Sequence, residues 1–486
     1  MAPIAAPTPA PIKPLPTSSW AEAGAGESSA IATHPDAKSD LISRPQVANR
    51  TVNHRTAHIV PGVPRVSAAP IAGSVGLARS TAFPVFAAPC PIADIIRIPF
   101  RRTECGRMKP QVPTPSPFTN WPDTLIDPAR FQDEQERLAR VWTFLGFAHD
   151  IAKDGDWLRA TIATRSVFVQ RFGRELRGFE NRCAHRSFPL RNADKGNGPI
   201  VCGFHHWRYD ENGEAVDIAN CSALFARAPG ELAARLNPVE IDTCGALIFG
   251  RFAPYGSGPS LRLYLGESFD ILAAISDTPM APKFVSRSVE ANWRLCFHAN
   301  VEDYHGPIIH ARTLGKSGYP RPDRTHYFRF GWHSAFFSDP EPDGLARMAA
   351  DCRTGAWRSA NYRVFQIFPD LTVSHVRVHW ENWFIVVVQY APVSASRSVM
   401  RAWYYRAPFP PRRQPAWYDL LTRPLTNLVR KLVMSYLVRM VLDEDNAVCE
   451  RQQSIAQQLS PAPILGALEE RLAWYEEAYT EAMRAS

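Results

Sequence analysis

Two short groups, Cys183-Ala184-His185 and, after sixteen intervening residues, Cys202-Gly203-Phe204-His205, constrain this chain more than any other feature. Each offers one thiol and one imidazole, so the two together can close around one metal centre. A [2Fe-2S] cluster can be held with two cysteines on one iron and two histidines on the other, which raises its reduction potential well above that of an all-cysteine cluster. Structural zinc also takes two cysteines and two histidines. Its modules, however, space the cysteines as C-x2-4-C and pair the histidines later. One Cys and one His per loop, each loop read as a hairpin, favours the cluster and implies one-electron chemistry.

A second group lies downstream at Glu302-Asp303-Tyr304-His305-Gly306-Pro307-Ile308-Ile309-His310. Five residues on a regular helix turn about 500°, or about 140° net, so His305 and His310 would diverge unless the chain bends, as Gly306-Pro307 would allow. Two histidines with one carboxylate form the facial arrangement of non-haem Fe(II) oxygenases, leaving coordination positions open for dioxygen. The competing reading is a pair of histidines satisfied in a core. Candidate carboxylates occur in Asp443-Glu444-Asp445, which taken alone reads equally well as an exposed acidic helix end.

The context resolves these alternatives. Asn181-Arg182-Cys183-Ala184-His185-Arg186 and Cys202-Gly203-Phe204-His205-His206-Trp207-Arg208-Tyr209-Asp210-Glu211-Asn212-Gly213 resemble the C-x-H-R and C-x-x-H-x-W-x-Y-D-x-x-G loops of the Rieske ring-hydroxylating oxygenase large (alpha) subunits. Asn292-Trp293-Arg294 through His310 resembles the catalytic helix of that family, and Asp443 through Gln453 its E-D-x4-E-x-x-Q segment. The likeness covers roughly residues 118–470.

The resemblance implies a Rieske [2Fe-2S] cluster on Cys183, His185, Cys202 and His205, and a mononuclear Fe(II) on His305, His310 and Asp445, with Asp443 as the fallback carboxylate. It further implies that Glu302 bridges the cluster histidine of one subunit to the iron-bound histidine of its neighbour, Asp303 being the weaker candidate. A homotrimer follows, with a beta subunit as an optional addition. The chain shows neither a G-x-G-x-x-G fingerprint nor a C-x4-C-x2-C run, so NAD(P)H-derived electrons would come through a separate reductase, with or without a ferredoxin.

The expected activity is O2-dependent hydroxylation or dihydroxylation of an apolar, typically aromatic, substrate. A Rieske monooxygenase removing methyl groups from oxygen or nitrogen is the alternative, and an electron carrier without catalysis comes third. Two departures stand out. His206 occupies a position where the family usually has Gly, and His298-Ala299 stands where many relatives have Glu-Asn.

Composition sets the frame. A chain of 486 residues with 45% hydrophobic content can bury two or three domains. Of the net charge of +8, residues 1–107 supply 11 basic against 6 acidic side chains, so no basic surface for nucleic acid is expected in the remainder. Nine cysteines without a secretory signal point to a reducing, cytoplasmic setting. Leu425–Leu442, the most apolar helical stretch, is interrupted by Arg430, Lys431 and Arg439 and reads as amphipathic, so no membrane span is expected.

Residues 1–107 hold 15 of the 43 prolines, and 1–110 read as a disordered Pro/Ala-rich extension, with Met108 an alternative start. Residues 111–140 read as a helical segment opened by Asp127-Pro128, 141–255 as a small antiparallel β domain carrying both cluster loops, and 256–486 as a catalytic domain. Strands are expected over 362–368, 371–379, 383–390 and 399–405, with helices from about 415 onward. The fold class expected is α+β. Phe328, Phe330, Phe336, Phe337 and Phe365 are candidates for the substrate pocket, although aromatics at this density more often form core.

Overall fold

The structure is a computed structural model. It describes residues 121–484 apart from 255, 279–280, 314–324, 339–343, 378–382, 410–416 and 460–462. The expected extension over 1–110 lies outside the described residues.

Helices α1 (Trp121–Thr124) and α2 (Pro128–Leu138) come first. Asp127 caps α2 by accepting from the Ala129 N–H at 2.8 Å, and Pro128 takes a position whose N–H would have no partner anyway. A seven-stranded antiparallel sheet follows, built from β1 (Thr143–Phe147), β2 (Asp156–Ile162), β3 (Arg165–Phe172), β4 (Glu175–Glu180) and β5 (Lys195–Asn197). It is completed after an excursion by β9 (Pro238–Cys244) and β10 (Leu247–Arg251), in the order β1-β10-β9-β4-β3-β2-β5. The excursion is a three-stranded sheet, β6 (Ile200–Val201), β7 (Arg208–Tyr209) and β8 (Ala215–Asp217), followed by α3 (Cys221–Phe225).

The second half begins with α4 (Leu261–Leu265), α5 (Ser268–Ser276), β11 (Lys283–Val289), α6 (Trp293–Val301) and α7 (Gly306–Ile309). Next come β12 (His326–Phe330), β13 (His333–Phe337), α8 (Gly344–Thr354), β14 (Arg363–Ile367), β15 (Leu371–Arg377), β16 (Trp383–Ser394) and β17 (Arg397–Arg406). Two long helices end it, α9 (Trp417–Ser454) and α10 (Glu470–Arg484). The strands form one antiparallel sheet, β11-β17-β16-β15-β14-β13-β12. The fold is α+β. The four strands expected between 362 and 405 are present, while β11, β12 and β13 were not foreseen.

One hydrophobic core runs through both halves, joining Leu145 and Leu158 of the first sheet to Val285 and Val388 of the second and to Trp293 of α6 and Val438 of α9. The Gln389 side chain crosses the same boundary, donating to the Phe144 carbonyl at 2.9 Å. A smaller core under the cluster loops packs Phe168, Phe179 and Ile200 against Cys183, Cys202, Trp207 and Tyr209. Burial on this scale gives roughly 1.5–3 kcal/mol for each large apolar side chain, enough to hold short strands that would not persist alone. Among the described residues, no helix is long and apolar enough to cross a membrane.

Candidate active site

The two Cys/His loops have the same backbone design. The Cys183 N–H donates to the Phe188 carbonyl and the Cys183 carbonyl accepts from Ser187; likewise the Cys202 N–H donates to Trp207 and its carbonyl accepts from His206. The fourth residue after each cysteine therefore sits at positive φ, Ser187 at 58° and His206 at 57°. This conformation is why glycine suits the second site, and why His206 is strained there. One expectation is corrected. Only the second loop is a hairpin, joining paired strands β6 and β7; the first links β4 to β5, which are not neighbours in their sheet.

The loops bring the four side chains together. His185 Nδ1 and His205 Nδ1 face each other at 3.2 Å, and His185 stacks flat on Trp207 with ring centroids 4.8 Å apart. Cys183 and Cys202 are buried beneath them. Burial raises the Cys183 thiol above its ordinary value, opposed by the Tyr209 hydroxyl, which lies 3.0 Å from its sulfur. Two buried sulfurs and two mutually facing imidazole nitrogens are a donor set for a mixed Cys/His cluster, not for a hydrogen-bonded core. Tyr209 was legible only as a motif letter; its hydroxyl also accepts from the Ala184 N–H at 3.1 Å and so locks the loop.

The second group is set by a helix that stops in the right place. Asn292 caps α6, accepting from the Arg294 N–H at 2.9 Å, and its side-chain amide donates to the Ala395 carbonyl. Arg294 is wholly buried against Glu476 of α10, so the Asn-Trp-Arg triplet anchors this helix. His298 belongs to the same network, its Nε2 2.7 Å from Glu476, and is not at the candidate metal site. The break expected at Gly306-Pro307 falls earlier. Glu302 turns extended, with φ −99° and ψ 157°, and Gly306-Pro307 opens the single turn of α7, with His305 before it and His310 after it. Pro307 cannot donate an N–H, which suits the first turn of a helix and not its interior.

His305 and His310 thereby converge, their Nε2 atoms 3.3 Å apart. Asp445 Oδ1 lies 3.4 Å from the first and 3.1 Å from the second. Each Nδ1 is held from behind by a carboxylate: Glu302 accepts from His305, and Glu444 from His310 at 2.9 Å, with Thr313 donating to the same Glu444 oxygen at 2.7 Å. A carboxylate can only accept, so both imidazoles carry their proton on Nδ1 and turn bare Nε2 lone pairs toward Asp445.

Three electron-rich atoms thus face one point, and the buried Asp445 Oδ1 makes no properly directed hydrogen bond. A divalent cation satisfies all three. Without one, a proton takes its place: burial opposes charging His305, but Asp445 and Glu302 outweigh it and push its pKa up to about 10.

Asp445 and Asp443 separate cleanly. Two residues on a helix are about 200° apart, and Asp443 points to the far side of α9, half-exposed in an ion pair with Arg287 of β11. Asp303 is likewise engaged elsewhere, buried against Arg471 at 2.5 Å and Tyr327. Glu444 and Thr313 were not singled out from sequence. The pairing of Glu444 with Asp445 was visible there, but its partner His310 lies 134 residues away.

A cavity of about 160 Å³ opens over the triad. Its floor is one face of α9, where Met434, Leu437, Val438, Val441, Leu442 and Asp445 recur at helical spacing, and its wall is one face of β14, β15 and β16. None of the five phenylalanines expected here lines it. Phe330, Phe337 and Phe365 are buried in a core cluster against which Phe328 packs, and Phe336 in another.

Comparison with known proteins agrees with this architecture. Residues 141–229 match the Rieske [2Fe-2S] domain family, and residues 272–485 match the ring hydroxylating alpha subunit catalytic domain. The chain is 28% identical over 232 residues to biphenyl 2,3-dioxygenase subunit alpha of Rhodococcus jostii, covering 46% of this chain and 45% of that protein. It is 28% identical over 208 residues to the glycine betaine monooxygenase oxygenase subunit of Chromohalobacter salexigens, covering 41% and 43%.

Among solved structures, naphthalene 1,2-dioxygenase from Rhodococcus sp. bound to indole has the same fold, with a TM-score of 0.58 at 18% identity over 75% of this chain and 94% of that one. A Rieske domain joined to an alpha-type catalytic domain defines a class of two-centre iron proteins. The chain belongs to the Rieske ring-hydroxylating oxygenase large (alpha) subunits. It spans about half the length of the curated relatives it matches.

Proposed function

We propose that this protein is the terminal oxygenase component of an O2-dependent system acting on a small apolar substrate. The observation that carries the reading is the convergence of two Nε2 atoms and one carboxylate oxygen beside an apolar cavity. In this reading the [2Fe-2S] cluster supplies single electrons and the mononuclear iron supplies O2 activation. His305, His310 and Asp445 hold the iron, and Cys183, His185, Cys202 and His205 hold the cluster. The Rieske domain is assigned to 141–255 and the catalytic domain to 256–486.

The remaining side chains have definable tasks. Glu302 and Glu444 keep the histidine protons on Nδ1 and fix the ring orientations. The Tyr209 hydroxyl donates to the Cys183 sulfur and stabilises its thiolate form. The aliphatic cavity wall excludes water from the reacting face.

Glu302 is also assigned the bridge to a cluster histidine of a neighbouring copy, since it touches His305 and is flanked by Tyr304, 60% exposed. A cyclic homotrimer follows from that bridge. Electrons reach the cluster from NAD(P)H through a separate reductase, with or without a ferredoxin; a beta subunit is compatible with the assembly, and a cytoplasmic setting with seven unpaired cysteines among the described residues.

A second reading, O- or N-demethylation by the same iron, draws on the likeness to the glycine betaine monooxygenase subunit. Purified protein with a surrogate reductase and a panel of apolar substrates tests the proposal. O2 uptake matched by oxygenated product supports it; no uptake with any substrate, from protein loaded at both metal centres, contradicts it. Release of formaldehyde from methyl ethers or N-methyl compounds selects the second reading.

A further inference from the structure

The cavity over the triad has an uneven chemical inventory. Among its described lining residues no lysine or arginine occurs, and Tyr362 is the only aromatic. The carboxylates are already engaged: Glu302 on His305, Asp303 on Arg471, and Asp445 between the two histidines. Away from the triad, a substrate carboxylate would therefore lose its water without gaining a lysine or arginine partner, which is costly. A quaternary ammonium would lack the group of aromatic faces that such ions require. The chamber is built for a neutral molecule.

Away from the triad, the Asn300 amide donates to the Cys296 carbonyl, and a pair of hydroxyls stands on the sheet wall. Thr372 and Ser374 project from the same face of β15, two residues apart, and Ser374 lies between Val364 of β14 and Val386 of β16 in the sheet register. Ser374 is partly exposed, and neither its hydroxyl nor the buried Thr372 hydroxyl has a hydrogen-bond partner among the described residues. Hydroxyls left unpaired in an aliphatic wall are unfavourable unless a guest satisfies them.

Resting on the reading of this cavity as the substrate chamber, we infer that it takes a compact, neutral, largely apolar molecule bearing one hydrogen-bonding oxygen, which meets the Ser374 hydroxyl. A volume of about 160 Å³ suits one ring or a small bicyclic, since a cavity of roughly 150 Å³ accommodates benzene.

The test uses three probes of one skeleton, indane, 1-indanone and indane-1-carboxylate, titrated calorimetrically into the anaerobic holoprotein. The ketone binds roughly three- to tenfold more tightly than the hydrocarbon, the range expected for one neutral hydrogen bond, and the carboxylate does not bind. Ser374→Ala abolishes the preference, and Ser374→Thr, which keeps the hydroxyl, retains it. Equal binding of ketone and hydrocarbon, binding of neither, tight binding of the carboxylate, or a preference that survives Ser374→Ala overturns the inference. O2 uptake with 1-indanone and a surrogate reductase reads the oxygenase assignment separately. Binding with the expected preference but no uptake removes that assignment and leaves the Ser374 contact in place.

Discussion

His206 and Ser187 occupy equivalent corners of the two cluster loops, and both pay for a backbone conformation that side chains with a Cβ disfavour. A left-handed residue costs roughly 1–2 kcal/mol, while glycine adds roughly 0.4–1 kcal/mol of unfolded-state freedom. His206→Gly should therefore stabilise the protein by about 0.5–1 kcal/mol in chemical denaturation, with the visible spectrum of the cluster unchanged. A destabilised variant would show that the imidazole makes a compensating contact. From sequence, His206 was recognisable as a departure, but its cause was not, because φ at one residue depends on the two backbone hydrogen bonds that close the loop.

At the same scale, Glu302→Gln should leave both metal centres loaded and slow turnover at least tenfold, since the amide cannot hold the Nδ1 proton of His305 as a carboxylate does. Steady-state O2 uptake alongside iron analysis checks this. Unchanged turnover would contradict the role given to Glu302.

Elements position these residues through their ends and faces. The five-residue spacing of His305 and His310 was legible as a problem for a regular helix, and Gly306-Pro307 as part of its solution. The break itself comes at Glu302, which caps α6 in extended backbone, while buried Trp293 and Arg294 anchor the other end of that helix. The cavity lining was less legible. The phenylalanines of β12–β14 face core, whereas the α9 stripe and the small residues of β15 face the cavity, and which face of a central strand meets the site depends on cross-strand register.

The turn between β14 and β15 gives a pH prediction. Burial raises the Asp370 carboxyl to about 7, against opposing effects of Gln389 and Arg401, and its Oδ1 has no hydrogen-bond partner. A carboxyl with a raised folded-state pKa binds its proton more tightly in the native protein, so its contribution is full below about pH 4 and is lost as pH rises through about 7. Asp370→Asn should flatten the fall in stability as pH rises through about 7, as read from denaturant midpoints. An identical pH profile in the variant would show that Asp370 titrates normally.

At the scale of the molecule, the two sheets share one core, and His205 and Tyr304 are exposed, as the proposed bridge to a neighbouring copy requires. Co-assembling Cys202→Ala subunits, which lack the cluster, with Asp445→Ala subunits, which lack the iron site, should restore part of the activity that neither has alone. Activity that never recovers in verified mixed assemblies would argue for transfer within one subunit. The ordered motifs made both centres legible from sequence, but not the aliphatic chamber above the second.

The central claim, that Asp445 completes a mononuclear iron site separate from the cluster, is tested most directly by iron content per chain. The wild type should bind about three irons, two in the cluster and one in the triad, and Asp443→Ala should match it. Asp445→Ala should fall to about two with its cluster spectrum intact. Equal iron content in wild type and Asp445→Ala would contradict the assignment.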